Sequence, residues 1–377
     1  MSASDYIRDL ANVARKVAEW TGGEWWVMGI LGIIAILLFI VPSLLAFVWI
    51  ERKFLGRLQV RYGPNRAGPF GLLQPIADAI KVLSKESVTP ARGDRLVFRL
   101  APIIALAPGV ALFAAFPFTR NMVADLDVGV LYVVALGSLS VIAVFMAGWA
   151  SNNKYSLLGA MRAVAQTVSY ELPLVLSILA VVLATGSLSL VKVVEAQTVP
   201  FLFVQPLSFL IFFTAAVAEL NRTPFDTLEA DSELVAGYHT EYSGMAFSLF
   251  YLAEYTHALA MSAMVATLFL GGWKPDFGIP WLWFIVKIYL VFLVLSWLRG
   301  TLPRLRIDQL MSFAWKFLVP LALINLFIVG IEVQALGGFP AWLALVNIPA
   351  AIVLIVVMCS LFKVGRVPAR AKSVGGS

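Results

Sequence analysis

Long apolar runs alternate with short polar connections along most of this chain. About 20 consecutive apolar residues cross the hydrocarbon core of a bilayer as one helix. The runs are residues 26–50, 97–117, 129–150, 166–185, 206–220, 244–270, 280–299, 313–335 and 341–362. Because they are continuously apolar rather than alternating, they indicate transmembrane helices and not strands of a β-barrel. The pattern predicts an all-α polytopic membrane protein with about nine transmembrane helices.

One polar connection has a pattern of its own. Residues 61–71 hold three glycines and two prolines, which is typical of an irregular loop. In residues 72–86 the apolar positions recur at spacings of three and four, and Asp78, Lys81 and Lys85 fall on another face. This predicts an amphipathic helix in the interface or against the bundle.

Composition agrees with a membrane protein. Only 13% of the 377 residues are charged, against about 25% in soluble domains, and the mean hydropathy is +0.88. The one cysteine, Cys359, excludes a disulfide within the chain and a cysteine-ligated zinc or iron–sulfur site. Residues 1–24 are polar and do not resemble a signal peptide. We therefore expect a polar segment (1–24), one transmembrane domain (25–362) and a basic tail (363–377).

Lys and Arg residues predict the orientation. Residues 51–99 contain ten of them, whereas the connections on alternate sides contain one or none. Since basic residues mark cytoplasmic loops, the N-terminus is expected outside and the C-terminus in the cytoplasm. The net charge of +6 then reflects topology and gives no reason to expect nucleic-acid binding.

Charged residues inside the apolar runs are candidates for chemistry because each is costly there unless paired or hydrated. They are Glu171, Glu219, Glu254 and Lys287. For Glu219 and Lys287 a structural ion pair is an equal alternative. Glu254 lies about ten residues inside its run, which favours a role in proton transfer.

The stretch PFDTLEADSELVAGYHTEY (224–242) holds five carboxylates and no Lys or Arg. If residues 226–235 are helical, Asp226, Glu229 and Glu233 share a face, and their titrations would be coupled. The alternative is a solvated acidic loop. The interleaved apolar residues favour a buried functional cluster, with Arg162 as a counter-ion or simply a topogenic charge.

Motifs for nucleotide binding or nucleophilic catalysis are missing from the sequence. It contains no P-loop or dinucleotide fingerprint, and no Ser–His–Asp set stands out. Residue chemistry alone therefore indicates proton handling and an amphiphilic ligand that enters from the membrane.

Five segments resemble the family of quinone-chamber membrane subunits of proton-pumping NADH–quinone oxidoreductase (respiratory complex I), whose mitochondrial member is NADH dehydrogenase subunit 1. They are ERKFLGRLQVRYGPNRAGPFGLLQPIADAIKVLSKE (51–86), GWASNNKYSLLGAMRAVAQTVSYE (148–171), ELNRTPFDTLEADSELVAGYHTEYSGM (219–245), FYLAEY (250–255) and LPRLRIDQLMSFAWKFLVPLALIN (302–325). Asp231 departs from the family by standing where members often carry Glu.

The resemblance implies a subunit of the bacterial plasma (inner) membrane that encloses a quinone chamber together with neighbouring chains. The expected partners are the peripheral quinone-reducing and terminal iron–sulfur subunits, adjacent small membrane subunits, quinone and membrane lipids. NADH, FMN and iron–sulfur clusters would be bound by those partners, with no cofactor and no metal on this chain alone. The sequence does not distinguish ubiquinone from menaquinone.

The resemblance also implies roles for individual residues. The chamber would be lined or supported by Arg52, Arg61, Asp78, Lys81, Lys85 and Glu86. A carboxylate path from chamber to membrane would comprise Glu171, Asp226, Glu229, Asp231, Glu233, Glu241 and Glu254 with Tyr255. Its basic partners would be Arg162, Arg222, Arg304 and Arg306 within the acidic loop (221–243) and around it. The roles of His239 and His257 stay open.

Two other functions are compatible with parts of this pattern. The first is the equivalent subunit of a ferredoxin-linked or membrane-bound hydrogenase complex, which shares the acidic loop. The second is a stand-alone ion-coupled transporter, which the order of the five segments makes the weaker candidate.

Overall fold

The structure, a computed structural model, describes residues 25–119, 126–227, 236–274, 279–336, 340 and 342–362. Every regular element in these ranges is helical, so the predicted all-α class is confirmed. The helices are α1 (Trp25–Leu58), α2 (Gln74–Leu83), α3 (Arg95–Ala111), α4 (Gly129–Ala150), α5 (Lys154–Thr185), α6 (Leu190–Ala196), α7 (Phe201–Val204), α8 (Pro206–Glu219), α9 (Gly244–Leu268), α10 (Pro280–Thr301), α11 (Ile307–Phe313), α12 (Val319–Leu336) and α13 (Leu343–Phe362). A π-helical turn, Ala314–Leu318, joins α11 to α12.

Six segments in the described residues are long and apolar enough to cross a membrane. They are Gly29–Leu58, Arg95–Ala114, Gly129–Ala150, Lys154–Thr185, Pro280–Thr301 and Ile307–Leu336. Helix α8 and the segment Leu343–Met358 of α13 are apolar but shorter. Helix α9 has 25 residues, but Glu254, His257 and the nearby tyrosines make it less apolar. Helices therefore occupy all nine predicted runs, although only six satisfy a length-and-hydropathy definition of a span.

Two predicted boundaries are wrong. Helix α5 begins at Lys154 rather than at 166, and Asn153 caps it by accepting a hydrogen bond from the Tyr155 backbone N–H (3.0 Å). Its first turns contain polar residues that lower the local hydropathy although they belong to the helix. The connection between the predicted runs 280–299 and 313–335 is also shorter than expected, since α10 continues to Thr301 and α11 begins at Ile307.

Close packing of α3, α4 and α9 depends on small side chains. Ala101 and Ala105 of α3, Ala143 and Ala147 of α4, and Ala253 of α9 form one buried cluster. Small residues let helix backbones approach closely, which is a main source of helix association in lipid. Ala105 and Ala253 of this cluster also line one of the cavities described below.

Helix α2 is shorter than the predicted amphipathic segment (72–86) and contacts α1 and α9. Its apolar residues Ile76, Ile80 and Leu83 are exposed, at 43%, 61% and 63%. The described part of the chain therefore leaves the apolar side of α2 uncovered.

Candidate functional site

A charged network lies inside the bundle where α1, α9 and α10 meet. Glu51 of α1 and Arg222, which follows α8, are each only 2% exposed. Nη1 of Arg222 lies 3.3 Å from Oε2 of Glu51, and Arg299 of α10 donates a hydrogen bond to the other carboxylate oxygen. The carboxylate of Glu51 thus forms ion pairs with two guanidinium groups.

Arg222 connects this pair to α9. Its Nη2 lies 3.6 Å from Oε1 of Glu254, and its guanidinium carbon lies 5.0 Å from the ring centroid of Tyr255 and 5.5 Å from that of Phe292. Burial acts to lower the pKa of Arg222, but the carboxylates of Glu51 and Glu254 hold it above its usual value. The guanidinium therefore stays charged.

A second set of contacts joins the network to the amphipathic helix. Asp78 of α2 accepts hydrogen bonds from Arg52 of α1 and from Nε2 of Gln74, the latter at 2.9 Å. Arg52 in turn contacts Tyr251, whose hydroxyl donates to the Tyr255 hydroxyl at 3.2 Å. Because Tyr255 also lies close to Glu51, polar side chains extend from α2 to the buried pair.

The first part of the acidic loop, residues 221–227, is held by Gln166 of α5. The buried amide of Gln166 donates to the carbonyls of Ala218 (2.8 Å) and Phe225 (2.7 Å), and its oxygen accepts from the Thr227 hydroxyl (2.6 Å). These three hydrogen bonds join Gln166 to the end of α8 and to the acidic loop, on either side of Arg222, and so hold Arg222 in place.

Asp226 lies in the same segment and forms an ion pair with Arg304, with Oδ2 and Nη2 2.9 Å apart. The backbone N–H of Leu305 donates to the carbonyl of Pro224 (2.9 Å). The turn after α10 is therefore attached to the loop by both side-chain and backbone contacts.

The last part of the acidic loop, residues 236–243, lies against the start of α5. Asn153 donates to the carboxylate of Glu241 (2.7 Å), and the Ser156 hydroxyl donates to the carbonyl of Tyr238 (2.8 Å). A Cβ on Gly159 would lie 2.8 Å from the Cα of Gly237, so glycine is needed for this close approach.

Three small cavities follow one another through the described bundle. The first, of about 50 Å³, is lined by Asp226, Arg222, Arg299 and Glu254. The second, of about 80 Å³, is lined by Glu254, Glu219 and His257, and the third, of about 30 Å³, by Glu219, His257 and Glu171. A single water needs about 10–15 Å³ by this measure, so each cavity has room for water. Neighbouring cavities share titratable side chains.

The structure brings together only part of the predicted site. It places Asp226, Arg222, Glu254, Tyr255 and Glu171 along the network and cavities. It places Arg52 and Asp78 in contact with each other, and Glu241 with α5. Arg61, Lys81, Lys85, Glu86 and Arg306 are exposed, and Arg162 is half-buried on α5. Glu229, Asp231 and Glu233 lie outside the described residues.

Glu51 and Arg299 were not predicted as site residues, although they occupy the centre of the network. In the sequence Glu51 begins a basic segment that directly follows an apolar run, and Arg299 ends another such run. Both patterns are typical of interfacial charges. The only sequence signal for this site was Glu51 itself, a carboxylate among basic residues.

The structure explains why Lys287 lies inside an apolar run. Its ammonium group donates to the carbonyls of Leu270 (2.6 Å) and Gly272 (2.8 Å) and to that of Lys274. These carbonyls follow the end of α9 and need a donor. Lys287 therefore stabilises a turn, which agrees with a structural rather than a catalytic role.

Candidate metal ligands are not clustered in the described part of the chain. No group of three His, Cys, Asp or Glu side chains is placed there to hold an ion. The whole sequence has a single cysteine, so an iron–sulfur cluster would lack thiolate ligands.

Comparison with known proteins gives consistent matches over most of the chain. A family profile described as NADH dehydrogenase matches residues 31–330. Relatives from two strains of Dehalococcoides mccartyi, each named as the H subunit of NADH-quinone oxidoreductase, are 54% and 55% identical over 91% of this chain and 98% of their own. A Syntrophobacter fumaroxidans relative, named as a second H subunit of the same enzyme, is 50% identical over 85% of this chain and 99% of its own. The resemblance seen in the sequence is thus confirmed, and the chain belongs to the NADH dehydrogenase family.

Proposed function

We propose that this chain is a membrane subunit of a proton-translocating NADH:quinone oxidoreductase, in which it couples quinone reduction to proton movement. The names of its relatives support the enzyme, and the apolar helices support the membrane location. NADH, FMN and iron–sulfur clusters would be bound by partner subunits, and this chain would contribute carboxylates and basic side chains.

The cavity series is the observation that carries the coupling role. Titratable side chains shared between neighbouring cavities form a sequence from Asp226 through Glu254 and Glu219 to Glu171. At the other end of the network, Arg52 and Asp78 reach α2. A change of charge near α2 would act on Glu51 and Glu254 in a region of low dielectric, where electrostatic interactions are strong.

The quinone chamber would form between this chain and its partners. The three cavities of 30–80 Å³ have room for water but are far below the roughly 300–1,000 Å³ of ligand pockets. The uncovered apolar side of α2 supports a quinone that enters from the lipid beside this helix. Arg61, Lys81, Lys85 and Glu86, which are exposed around α2, would face the chamber.

We also propose the membrane arrangement predicted from the sequence. All nine apolar runs would cross the bacterial plasma membrane, with the N-terminus outside and the C-terminus in the cytoplasm. The less apolar α9 would be accommodated because its polar side chains face the cavities rather than lipid.

The test uses the native assembly, purified through a tag on this chain and reconstituted in liposomes. Glu254→Gln keeps the shape of the side chain but removes its titration. We expect NADH oxidation by ferricyanide to persist, whereas quinone-linked proton translocation falls at least about tenfold, as for loss of a positioned proton carrier. Glu195→Gln is the matched control, because Glu195 is exposed and lines none of the three cavities.

Each outcome has a defined meaning. Unchanged translocation in Glu254→Gln and in Glu229→Gln would contradict the carboxylate path. A large assembly that lacks NADH activity would favour the ferredoxin- or hydrogenase-linked alternative. Purification of this chain without partners would contradict the subunit assignment.

A further inference from the structure

His257 lies between the second and third cavities and lines both of them. It follows Glu254 by three residues on α9, so the two side chains lie on one side of the helix. Glu219, at the end of α8, also lines both cavities. Passage from Glu254 to Glu171 through the cavities therefore runs past His257 and Glu219.

Contacts of the imidazole define the roles of its two nitrogens. The ring hydrogen-bonds the backbone of Ala105 on α3, whereas Nε2 is buried and has no hydrogen-bond partner among the described residues. Because a backbone carbonyl only accepts, we assign the proton to Nδ1, and Nε2 then presents a lone pair. A buried lone pair at the edge of a polar cavity calls for a water or another donor.

The carboxylate of Glu219 likewise has one unpaired polar atom. Its Oε2 is buried and also has no hydrogen-bond partner among the described residues. The two residues that carry these unpaired atoms, His257 and Glu219, thus line the same pair of cavities. A bridging water would satisfy both atoms.

Two glycines keep this region open. A Cβ on Gly109 of α3 would lie 3.5 Å from Nε2 of His257, and a Cβ on Gly137 of α4 would lie 3.7 Å from Oε1 of Glu219. Both distances are ordinary van der Waals contacts, but a Cβ on Gly109 would also lie 3.2 Å from Cγ2 of Thr256, so only Gly137 accepts alanine without a shift of its neighbours. The added methyl group would occupy space beside the polar atom, where a water would otherwise bind.

We propose that His257 carries protons between Glu254 and Glu219 through waters in these two cavities. This inference rests on the proposed coupling function and adds a titratable group that the acidic residues alone do not supply. Nε2 accepts a proton that originates from the Glu254 carboxyl group, and the imidazolium keeps its Nδ1–H bond to Ala105. The same Nε2 proton then passes to the Glu219 carboxylate, which leaves His257 neutral again.

The charges around His257 favour a transient imidazolium. Glu254 precedes it on α9, Glu219 faces it from α8, and Glu171 lines the third cavity from α5. Arg222 and Arg299 lie on the far side of Glu254, in the first cavity. Helices α3 and α4 contribute apolar or small residues and Ser140 to these linings. Carboxylates therefore line both cavities that His257 borders, whereas the two guanidinium groups line only the first cavity.

The alternative is a core histidine that only anchors α9 to α3 through Ala105. His257→Asn separates the two, since the Asn amide can still donate to the Ala105 carbonyl but offers no titrating Nε2. We expect quinone-linked proton translocation of the reconstituted complex to fall at least about tenfold. This loss is smaller than the usual effect of removing an acid–base group, because waters remain in the cavities. The dependence of translocation on pH between about 5 and 9, where His titrates, should also change. His239→Asn, outside all three cavities, is the matched control.

A second variant tests the waters without changing any titratable group. Gly137→Ala should slow translocation because its methyl group takes water space beside Glu219. Gly330→Ala of α12 is the matched control, because no atom of the described residues lies within 4 Å of the position that a Cβ would take there. That substitution should have no effect.

The results distinguish this inference from the coupling function on which it rests. Wild-type translocation and an unchanged pH profile in His257→Asn would overturn the role of His257, even if Glu254→Gln is inactive. If Glu254→Gln also pumps normally, the coupling function itself fails. Loss of translocation in His257→Asn together with normal activity in Gly137→Ala would exclude water at Glu219 as the link.

Discussion

At the scale of single residues, Glu51 determines the electrostatic balance of the site. Two guanidinium groups, of Arg222 and Arg299, share its carboxylate, and Glu254 supplies the second negative charge nearby. The two negative charges, of Glu51 and Glu254, therefore balance the two positive charges, of the guanidinium groups, where little water is available. Removal of one member leaves an uncompensated charge, which costs more than the pair contributes.

Glu51→Gln should therefore destabilise the packing of α1 against α10. Breaking a buried pair costs about 3–5 kcal/mol, which should lower the temperature at which the purified complex releases this chain. The double variant Glu51→Gln/Arg299→Gln should recover part of the loss, because the number of unpaired charges falls. Asp127→Asn is the control, since its 3.9 Å contact with Lys192 is a surface pair. Equal melting of Glu51→Gln and wild type would contradict this account.

The sequence predicted Glu254 but not Glu51, and the reason is physical. Glu254 interrupts an apolar run in its middle, so its burial follows from its position. Glu51 ends a run, and its burial depends on Arg222 and Arg299, which are 171 and 248 residues away. Contacts of that separation are set by helix packing and leave no local pattern.

At the scale of elements, α2 is attached to the bundle through a polar contact near its first turn. Burial raises the pKa of Asp78, but hydrogen bonds from Arg52 and Gln74 outweigh this and hold the pKa below its usual value. A carboxylate whose pKa is lowered by folding stabilises the folded form above its ordinary pKa, and this stabilisation is lost as the pH falls through the lowered value.

The attachment of α2 should follow that dependence. Hydrogen-exchange protection factors of α2 should be constant from neutral pH down to about 4, near the ordinary pKa of Asp, and should fall below it. Asp78→Asn should show lower protection at neutral pH and no further acid-dependent loss. Asp308→Asn, at an exposed position in α11, is the control. If α2 of Asp78→Asn were as protected from hydrogen exchange as the wild-type helix at neutral pH, the ion pair would not hold α2 to the bundle.

Element types were predictable from the sequence, whereas several boundaries were not. The apolar runs identified the helices because burial in lipid demands continuous apolar surface. The start of α5 was missed because its first turns contain polar and charged residues, among them Lys154, Ser156 and Arg162, which lower the hydropathy there. The three hydrogen bonds of Gln166 to the acidic loop and the end of α8 explain why a polar side chain is retained there.

At the scale of the whole molecule, the proposed orientation places the acidic loop on the cytoplasmic side and the connection between α5 and α8 outside. In a Cys359→Ala background, Thr198→Cys should react with a membrane-impermeant thiol reagent in intact cells. Thr301→Cys should react only in inside-out vesicles. Both positions are exposed in the structure. The reverse labelling pattern would contradict the orientation predicted from Lys and Arg.

The length of α5 has a consequence for the height of the loop above the bilayer. Its 32 residues make a rod of about 48 Å at 1.5 Å per residue, whereas the hydrocarbon core is about 30 Å thick. Either the first turns of α5, against which Tyr238 and Glu241 of the acidic loop lie, project beyond the lipid, or the helix tilts. The reach of α5 thus sets the distance between Glu241 and the hydrocarbon core. One residue inserted in this projecting part would shift that end by about 1.5 Å and turn it by about 100°, so length and register of α5 are fixed together.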